Sequence, residues 1–378
     1  MHPAPLVQIA QCESFLPKQV RSMTSPFPSP PKPKPQTATG VSQKAKTMTA
    51  MPTTIDNQPV PTLAAIRELH TALKPYVYLT PVMDRDGIAD LAGTLISFKF
   101  ELFQAGGSFK ARGAFSNMLS FDAAQRQAGV TGVSAGNHAV AVAYAAHQLG
   151  ISAKVVMLSF GNQACMALVR KYGAELLMAD NGPDAFAMVD KMVKEEGRFF
   201  VHPFSTYRTV LGTCSLGYEW ATQAPELDAV IVPIGGGGLA AGVSTAFKLM
   251  QPHCQVFGVE PEGATGMAQS FEAGHALKVG AMSSIATSLM APHTETYSFE
   301  LCRRNIDALV TVSEAQLRDA MRVLFDQLKL APEPACAAAT AALLGPLRAQ
   351  LAGKRVGVLL CGTNTDLPTL STHLSNVG

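Results

Sequence analysis

From about residue 60 onward, the apolar positions of the chain alternate between two kinds of spacing. Short apolar runs predict strands, and between them apolar residues recur at the three- and four-residue spacing of helices. The predicted strands cover residues 95–100, 130–133, 153–158, 174–178, 199–201 and 229–232, and the predicted helices cover 62–73, 109–119, 138–149, 163–172, 183–196 and 239–250. Because steady alternation of strand and helix is typical of parallel sheets covered on both faces, we predict an α/β fold.

A glycine-rich turn, Pro233-Ile234-Gly235-Gly236-Gly237-Gly238-Leu239, lies between a predicted strand and a predicted helix. Without Cβ atoms the backbone can fold its N–H groups around an anion, and the helix that follows adds the positive end of its dipole. The turn matches neither GxxxxGK[ST] nor GxGxxG followed by a ribose-binding acid. It therefore predicts a phosphate site, and an ordinary flexible turn is the alternative.

Lys110 lies in the run Gly106-Gly107-Ser108-Phe109-Lys110-Ala111-Arg112-Gly113-Ala114, among small and apolar residues. Burial lowers the pKa of a lysine, and the free amine is a nucleophile that can form a Schiff base with a carbonyl. The alternative is a lysine in the first turn of a helix that reaches water along Phe109. This run alone leaves both interpretations open.

A third turn, Val133-Ser134-Ala135-Gly136-Asn137-His138-Ala139, joins another predicted strand to its helix. Ser134 and Asn137 offer a hydroxyl and an amide, and the start of the helix offers free N–H donors. Such a turn can bind a carboxylate. The alternative is an ordinary helix cap by Ser134 or Asn137, with His138 on the helix surface.

A Schiff-base lysine, a phosphate site and a carboxylate site together describe an enzyme that holds an amino acid on pyridoxal 5′-phosphate. Over residues 60–378 the chain resembles the threonine dehydratase and serine racemase branch of the tryptophan synthase β family, the pyridoxal-phosphate enzymes of fold type II. The matching motifs are Glu101 and Gln104 before Gly107-Ser108-Phe109-Lys110, Arg112-Gly113-Ala114, Ser134-Ala135-Gly136-Asn137-His138, His202-Pro203-Phe204, Gly235 to Leu239, Val259-Glu260-Pro261, Glu333-Pro334 and Cys361-Gly362-Thr363-Asn364.

The resemblance implies a role for each matching residue of the site. Lys110 would hold the cofactor aldehyde and later move the α-proton, and Phe109 would line the cofactor ring. Asn137 would bond the 3′-oxygen of the cofactor, and Cys361 would stand beside the pyridine nitrogen. The cofactor phosphate would be held by the N–H groups of Gly235, Gly236, Gly237, Gly238 and Leu239. The substrate carboxylate would be held by Ser134, Ala135, Gly136, Asn137 and His138.

Four of the departures from the family pattern bear on the chemistry of the site. Cys361 replaces a serine or threonine, and Ser288 stands where a glycine usually lies against the cofactor ring, so the pocket near the ring is altered. Ala135 replaces the serine whose hydroxyl serves family racemases as an acid and base, which favours dehydration over racemisation. Gly266 replaces the second carboxylate of a cation site, which leaves Glu260 as a weak metal candidate; we expect no metal.

Composition narrows the class of protein further. The 378 residues are 47% hydrophobic and carry a formal net charge of +2, without a basic stripe or a membrane-spanning apolar run, so we expect neither nucleic acid nor membrane as a partner. The seven scattered cysteines are typical of reduced thiols in a cytoplasmic protein. Residues 1–56 are basic and proline-rich, which predicts a disordered tail. A mitochondrial transit peptide, or a true start at Met48 or Met51, is the alternative.

By resemblance, residues 57–124 and 206–378 form a large domain and residues 125–205 a small one, with the cofactor in the cleft between them. A homodimer is expected. Because the chain ends shortly after Asn364, we expect no C-terminal regulatory domain and no feedback inhibition by isoleucine. Lys99, on the strand before the site, is expected to be dispensable for turnover.

The predicted activity is that of a pyridoxal-phosphate lyase, which converts L-threonine or L-serine to a 2-oxo acid and ammonia. A dehydratase for 3-phenylserine or 3-hydroxyaspartate is an alternative, as is a racemase or a β-replacement enzyme of the same family. Outside the family, a non-catalytic sensor of a phosphorylated ligand would keep the glycine turn but would have no use for Lys110.

Overall fold

A computed structural model of the protein describes residues 52–84, 86–159 and 161–375. Its strands are β1 (Thr54–Ile55), β2 (Gln58–Pro59), β3 (Val82–Asp84), β4 (Leu95–Phe100), β5 (Val130–Val133), β6 (Ala153–Leu158), β7 (Glu175–Ala179), β8 (Phe199–Phe200), β9 (Ala229–Pro233), β10 (Gln255–Pro261), β11 (Ala308–Val312) and β12 (Arg355–Leu360). Its α-helices are α1 (Leu63–Leu73), α2 (Asp86–Ala92), α3 (Lys110–Met118), α4 (Ala123–Ala128), α5 (Asn137–Leu149), α6 (Gln163–Lys171), α7 (Gly182–Glu196), α8 (Tyr207–Gln223), α9 (Gly238–Met250), α10 (Gly266–Ala273), α11 (Thr296–Asn305), α12 (Glu314–Leu328), α13 (Pro334–Leu344), α14 (Arg348–Leu351) and α15 (Leu367–Ser375).

Two parallel sheets organise the molecule. The larger has the strand order β11-β10-β9-β12-β4-β3, and the smaller has the order β7-β6-β5-β8. Every neighbouring pair in these two sheets is parallel except β3 with β4. Central strands such as β9 and β12 are buried almost throughout, as expected where helices cover both faces of a sheet. The predicted α/β fold is therefore confirmed.

The predicted elements agree with the structure to within about one residue at their ends. Helix α3, for example, begins at Lys110 instead of the predicted Phe109, and α5 begins at Asn137 instead of His138. The antiparallel edge strand β3 was not predicted. The boundaries proposed for the large and small domains stay a prediction. Most of the predicted tail lies outside the described residues, and of its last part Thr54–Ile55 form β1, paired with β2.

A cluster of four buried charged side chains, hereafter the ion cluster, fixes the helix that carries Lys110. Its members are Lys99 on β4, Glu101 directly after that strand, Arg112 on α3 and Glu219 on α8, each at most 3% exposed. Arg112 donates to both oxygens of Glu101 and also pairs with Glu219 at 3.0 Å, while Lys99 donates to Glu219. The two positive and two negative charges balance, so the cluster joins β4, α3 and α8 without a net buried charge.

Among the residues with described structure, no helix has both the length and the apolar character needed to span a bilayer.

Candidate active site

A cavity of about 260 Å³ opens where the strands of both sheets end. Its lining includes the turn from β5 to α5, the turn from β9 to α9, the start of α3 and the residue that follows β12. Ligand sites of α/β proteins form at this edge, because the loops after the carboxyl ends of parallel strands converge there. The structure brings together every residue predicted to bind cofactor or substrate: Phe109, Lys110, Ser134, Ala135, Gly136, Asn137, His138, Gly235, Gly236, Gly237, Gly238, Leu239 and Cys361.

The glycine-rich turn leaves no room for side chains. A Cβ atom on Gly236 would overlap the Phe204 ring, and one on Gly238 would overlap the Phe204 backbone. Gly237, with φ of +90°, is the N-cap of α9, and no side chain caps this helix. Its first N–H groups are therefore available to an anion, with the helix dipole behind them. This arrangement fits a phosphate group.

Lys110 reaches into the cavity at the start of α3 and is not a lysine that extends along Phe109 to water. Its Nζ donates to the Pro203 carbonyl oxygen at 2.6 Å and lies 5.1 Å from the centre of the Phe109 ring. Burial lowers the pKa of Lys110 to about 8, although the nearby Glu333 carboxylate acts in the opposite direction. At pH 7 about a tenth of the Lys110 amine is then free, and the free amine is the form that attacks an aldehyde.

The turn from β5 to α5 presents backbone donors to the cavity. Ser134 Oγ accepts from the Gly136 N–H at 3.0 Å, and no side chain caps α5 at its N-cap Gly136. His138 is buried, and its Nε2 donates to the Val201 carbonyl oxygen at 2.7 Å. Burial lowers the pKa of His138 to about 3, so its ring is neutral. Because the His138 ring already donates to Val201, the ring is not available to bind a carboxylate. If His138 helps to hold the substrate carboxylate, it would do so through its backbone N–H.

A polar network around Glu333 forms part of the same cavity. The Asn137 amide group donates to both Glu333 oxygens, at 2.8 and 2.9 Å, and Asn364 donates to Asn137 Oδ1 at 2.6 Å. Ser288 also bonds to Glu333. The two partners of Asn137 fix the orientation of its amide, which is the group predicted to bond the cofactor. The Glu333-Pro334 motif is visible in the sequence, but the sequence predicted no role for Glu333.

Burial raises the pKa of Glu333 to about 7, and its bonds from Asn137 and Ser288 oppose this shift. In the unfolded chain a glutamate releases its proton near pH 4.3. The folded cofactor-free protein keeps the Glu333 proton up to about pH 7, so stability should fall as pH rises through this window. Relative to Glu333→Gln, the wild type should lose on the order of 3 kcal/mol of unfolding free energy between pH 4 and 8. Urea unfolding of both proteins measures this difference, and parallel pH profiles would contradict it.

Cys361 is a protonated thiol at the cavity wall. A hydrogen bond with the Cys336 thiol and burial hold the pKa of Cys361 well above its usual value. Its own backbone carbonyl accepts from the Phe109 N–H at 3.2 Å, which ties the end of β12 to the start of α3. A neutral thiol is a weak donor and a weak acceptor, so Cys361 offers no carboxylate to protonate a pyridine nitrogen beside it.

Two places in the described structure carry side chains of the types that bind metals. Glu260 lies outside the cavity lining, and its two oxygens accept from the N–H groups of Met267 and Ala268. His202, His293 and Glu295 bring one ligand atom each within 4.8 Å of one another. However, His202 Nδ1 already accepts from two backbone N–H groups, and burial lowers the pKa of His202 to about 3. The neutral ring therefore carries its proton on Nε2, which leaves no free lone pair for a metal.

Comparison with known proteins gives matches over most of the chain. Residues 73–362 match the family described as "Pyridoxal-phosphate dependent enzyme". Phenylserine dehydratase of Ralstonia pickettii is 64% identical over 322 residues, covering 85% of this chain and 99% of that protein. The beta-hydroxyaspartate dehydratase of Paracoccus denitrificans is 34% identical, covering 82% of this chain and 98% of that protein. The solved structure of maize serine racemase superposes with a TM-score of 0.79 at 33% identity, covering 82% of this chain and 95% of that one.

Proposed function

The chain belongs to the family of pyridoxal-phosphate-dependent enzymes and is a dehydratase, and we propose that its substrate is 3-phenylserine, which it converts to a 2-oxo acid and ammonia. The family and the cofactor predicted from the motifs are thus confirmed. Among the alternatives left open by the sequence, the apolar lining of the cavity favours the aromatic substrate. The 64% identity to a phenylserine dehydratase supports the same choice.

The observation that carries this proposal is the apolar share of the cavity lining. Besides the polar residues near Lys110, the lining includes the apolar side chains of Leu158, Phe186, Phe204, Met290, Ala291 and Pro292. A phenyl group on the β-carbon would bury its surface against these side chains, and burial of an aromatic ring is strongly favourable. The methyl group of threonine and the hydrogen of serine would leave most of this wall without contact.

The same lining argues against 3-hydroxyaspartate. A second substrate carboxylate would need a cation, or N–H donors beyond those at the starts of α5 and α9, when it leaves water. Among the described residues that line the cavity, Lys110 is the only lysine or arginine, and it is committed to the cofactor. His138 is neutral, and the Glu333 carboxylate would repel an anion whenever it is ionised.

Each group of cavity residues would have its own role in a β-elimination. Bound pyridoxal phosphate supplies an electron sink for negative charge that develops at the substrate Cα. The N–H groups at the start of α9 would hold its phosphate, and Asn137, oriented by Glu333 and Asn364, would hold its ring oxygen. The N–H groups at the start of α5 would hold the substrate carboxylate. Lys110, with its lowered pKa, would take the proton from Cα and return it to the β-hydroxyl, which would leave as water. The enamine product would then take up water and release ammonia as the 2-oxo acid forms.

A substrate panel tests the proposal. Purified enzyme with pyridoxal phosphate would be assayed for 2-oxo acid release from L-threo-3-phenylserine, L-threonine, L-serine and L-threo-3-hydroxyaspartate. We expect kcat/KM for phenylserine to exceed the others by at least about tenfold, since the aromatic group supplies the additional binding surface. A higher kcat/KM for any of the other three would contradict the assignment.

The enzyme should dehydrate without racemising, because racemisation needs proton transfer on both faces of the cofactor and Ala135 supplies only a methyl group. The neighbouring Ser134 hydroxyl already accepts from Gly136. With L-serine we expect 2-oxo acid and negligible D-serine, and Ala135→Ser should gain measurable racemisation, as chiral chromatography would show. Ser134→Ala is the matched control and should leave this outcome unchanged. Appreciable D-serine from the wild type would contradict the prediction.

We further propose a cytoplasmic homodimer. The six cysteines among the described residues are buried and form no disulfide, which supports a reducing compartment. Size-exclusion chromatography with light scattering measures the oligomeric state.

A further inference from the structure

Three aromatic side chains pack together at the cavity, hereafter the aromatic wall: Phe186, Phe204 and, behind them, His293. The rings of Phe186 and Phe204 line the cavity. His293 packs against both, with ring centres 6.4 Å from Phe186 and 5.6 Å from Phe204. His293 is in turn oriented by a bond between its Nε2 and Glu295 at 2.9 Å.

The two phenylalanines of the wall are held in different ways. Phe204 lies so close to Gly236 and Gly238 that neither glycine could carry a side chain, which makes Phe204 part of the phosphate cradle. Phe186 comes instead from α7, which covers the smaller sheet. There it packs with Leu158 and Met188 against the apolar cluster of that sheet, and it remains partly exposed. Phe186 is therefore the member of the wall that no cofactor contact requires.

We propose that Phe186 is the specificity-determining residue that selects an aromatic substituent on the substrate β-carbon. This inference rests on the proposed function and adds the residue responsible for it. Aromatic rings attract one another at centre distances of 4.5–7 Å in tilted or offset arrangements, which is the range already seen between Phe186 and His293. A substrate phenyl group beside Phe186 would gain this contact in addition to ordinary apolar burial. Threonine and serine have no ring to place there.

The test compares Phe186→Ala and Phe186→Leu with the wild type on L-threo-3-phenylserine and L-threonine. We expect Phe186→Ala to lower kcat/KM for phenylserine by at least about tenfold, mainly through KM, and to change kcat/KM for threonine by less than about threefold. Phe186→Leu, which keeps apolar volume but lacks the ring, should give an intermediate loss. Met188→Ala is the matched control: Met188 lies on the same helix and packs on the same cluster but does not line the cavity. It should leave the ratio of the two kcat/KM values unchanged.

Inhibition of threonine turnover by L-phenylalanine gives a second measurement, because this probe carries the ring but no β-hydroxyl to eliminate. Its inhibition constant should rise in Phe186→Ala by a similar factor, while that of L-alanine should not. Equal losses on both substrates, or an unchanged kcat/KM for phenylserine, would overturn the role of Phe186 and leave the proposed function intact. A wild-type enzyme that turns over threonine but not phenylserine would overturn both, and this is visible before any variant is made.

Discussion

Lys110→Ala is expected to lower the rate of 2-oxo acid formation by at least about 10²- to 10⁴-fold, because removal of a general base typically costs this much. The same substitution removes the amine that would hold the cofactor aldehyde. Both proposed roles of Lys110 need a free amine, and burial lowers its pKa to about 8, which leaves about a tenth of the amine free at pH 7. Steady-state assays of both proteins, with the absorption spectrum of bound cofactor recorded alongside, would measure the two losses.

The control for this experiment is Lys194→Ala, which removes an exposed lysine of α7 and should leave the rate unchanged. Lys99 is less suitable than the sequence suggested, because the structure shows it buried in the ion cluster. If Lys110→Ala protein with a native unfolding transition kept a tenth of the wild-type rate, the role of Lys110 in proton transfer would be wrong.

The sequence predicted the parts of the site that depend on local chemistry. Glycine-rich turns between a strand and a helix occur at one edge of a parallel sheet, so the motifs at Lys110 and Gly237, which both follow strands of the larger sheet, could be expected to converge. Asn137 follows β5 of the smaller sheet, and only the family resemblance implied its place in the same site. The structure places all of them around one cavity. The roles assigned to these residues stay predictions.

Contacts between segments far apart in the chain could not be predicted from the sequence motifs. The bond from Asn137 to Glu333 joins residues 196 positions apart, and nothing in either motif indicates it. His138 lies in the motif for carboxylate binding, yet its ring Nε2 donates to the carbonyl oxygen of Val201, 63 residues further along the chain. Phe186 lies in no motif, and its apolar spacing on α7 indicates only a face packed against a sheet. Tertiary packing brings such residues to the cavity, and a local sequence pattern does not encode tertiary packing.

The ion cluster should dominate the stability of the large sheet, and Glu219→Met is expected to lower the free energy of unfolding by roughly 3–5 kcal/mol. The substitution leaves the Lys99 ammonium fully buried without its carboxylate partner, while Arg112 keeps its bonds to Glu101 and Ser215. Urea unfolding followed by circular dichroism measures the loss. Glu300→Met is the control, since Glu300 pairs with Arg303 in a partly exposed position where ion pairs contribute little.

The double variant Lys99→Met, Glu219→Met separates charge balance from packing. It removes one positive and one negative charge, so the remaining pair of Arg112 and Glu101 is still balanced, and two apolar side chains of similar length fill the space. Because replacing a buried ion pair with apolar residues is often nearly neutral, the double variant should be more stable than Glu219→Met alone. A double variant as unstable as the sum of the two single losses would show that the bonds themselves, and not the balance of buried charge, hold the start of α3 and Lys110 in place.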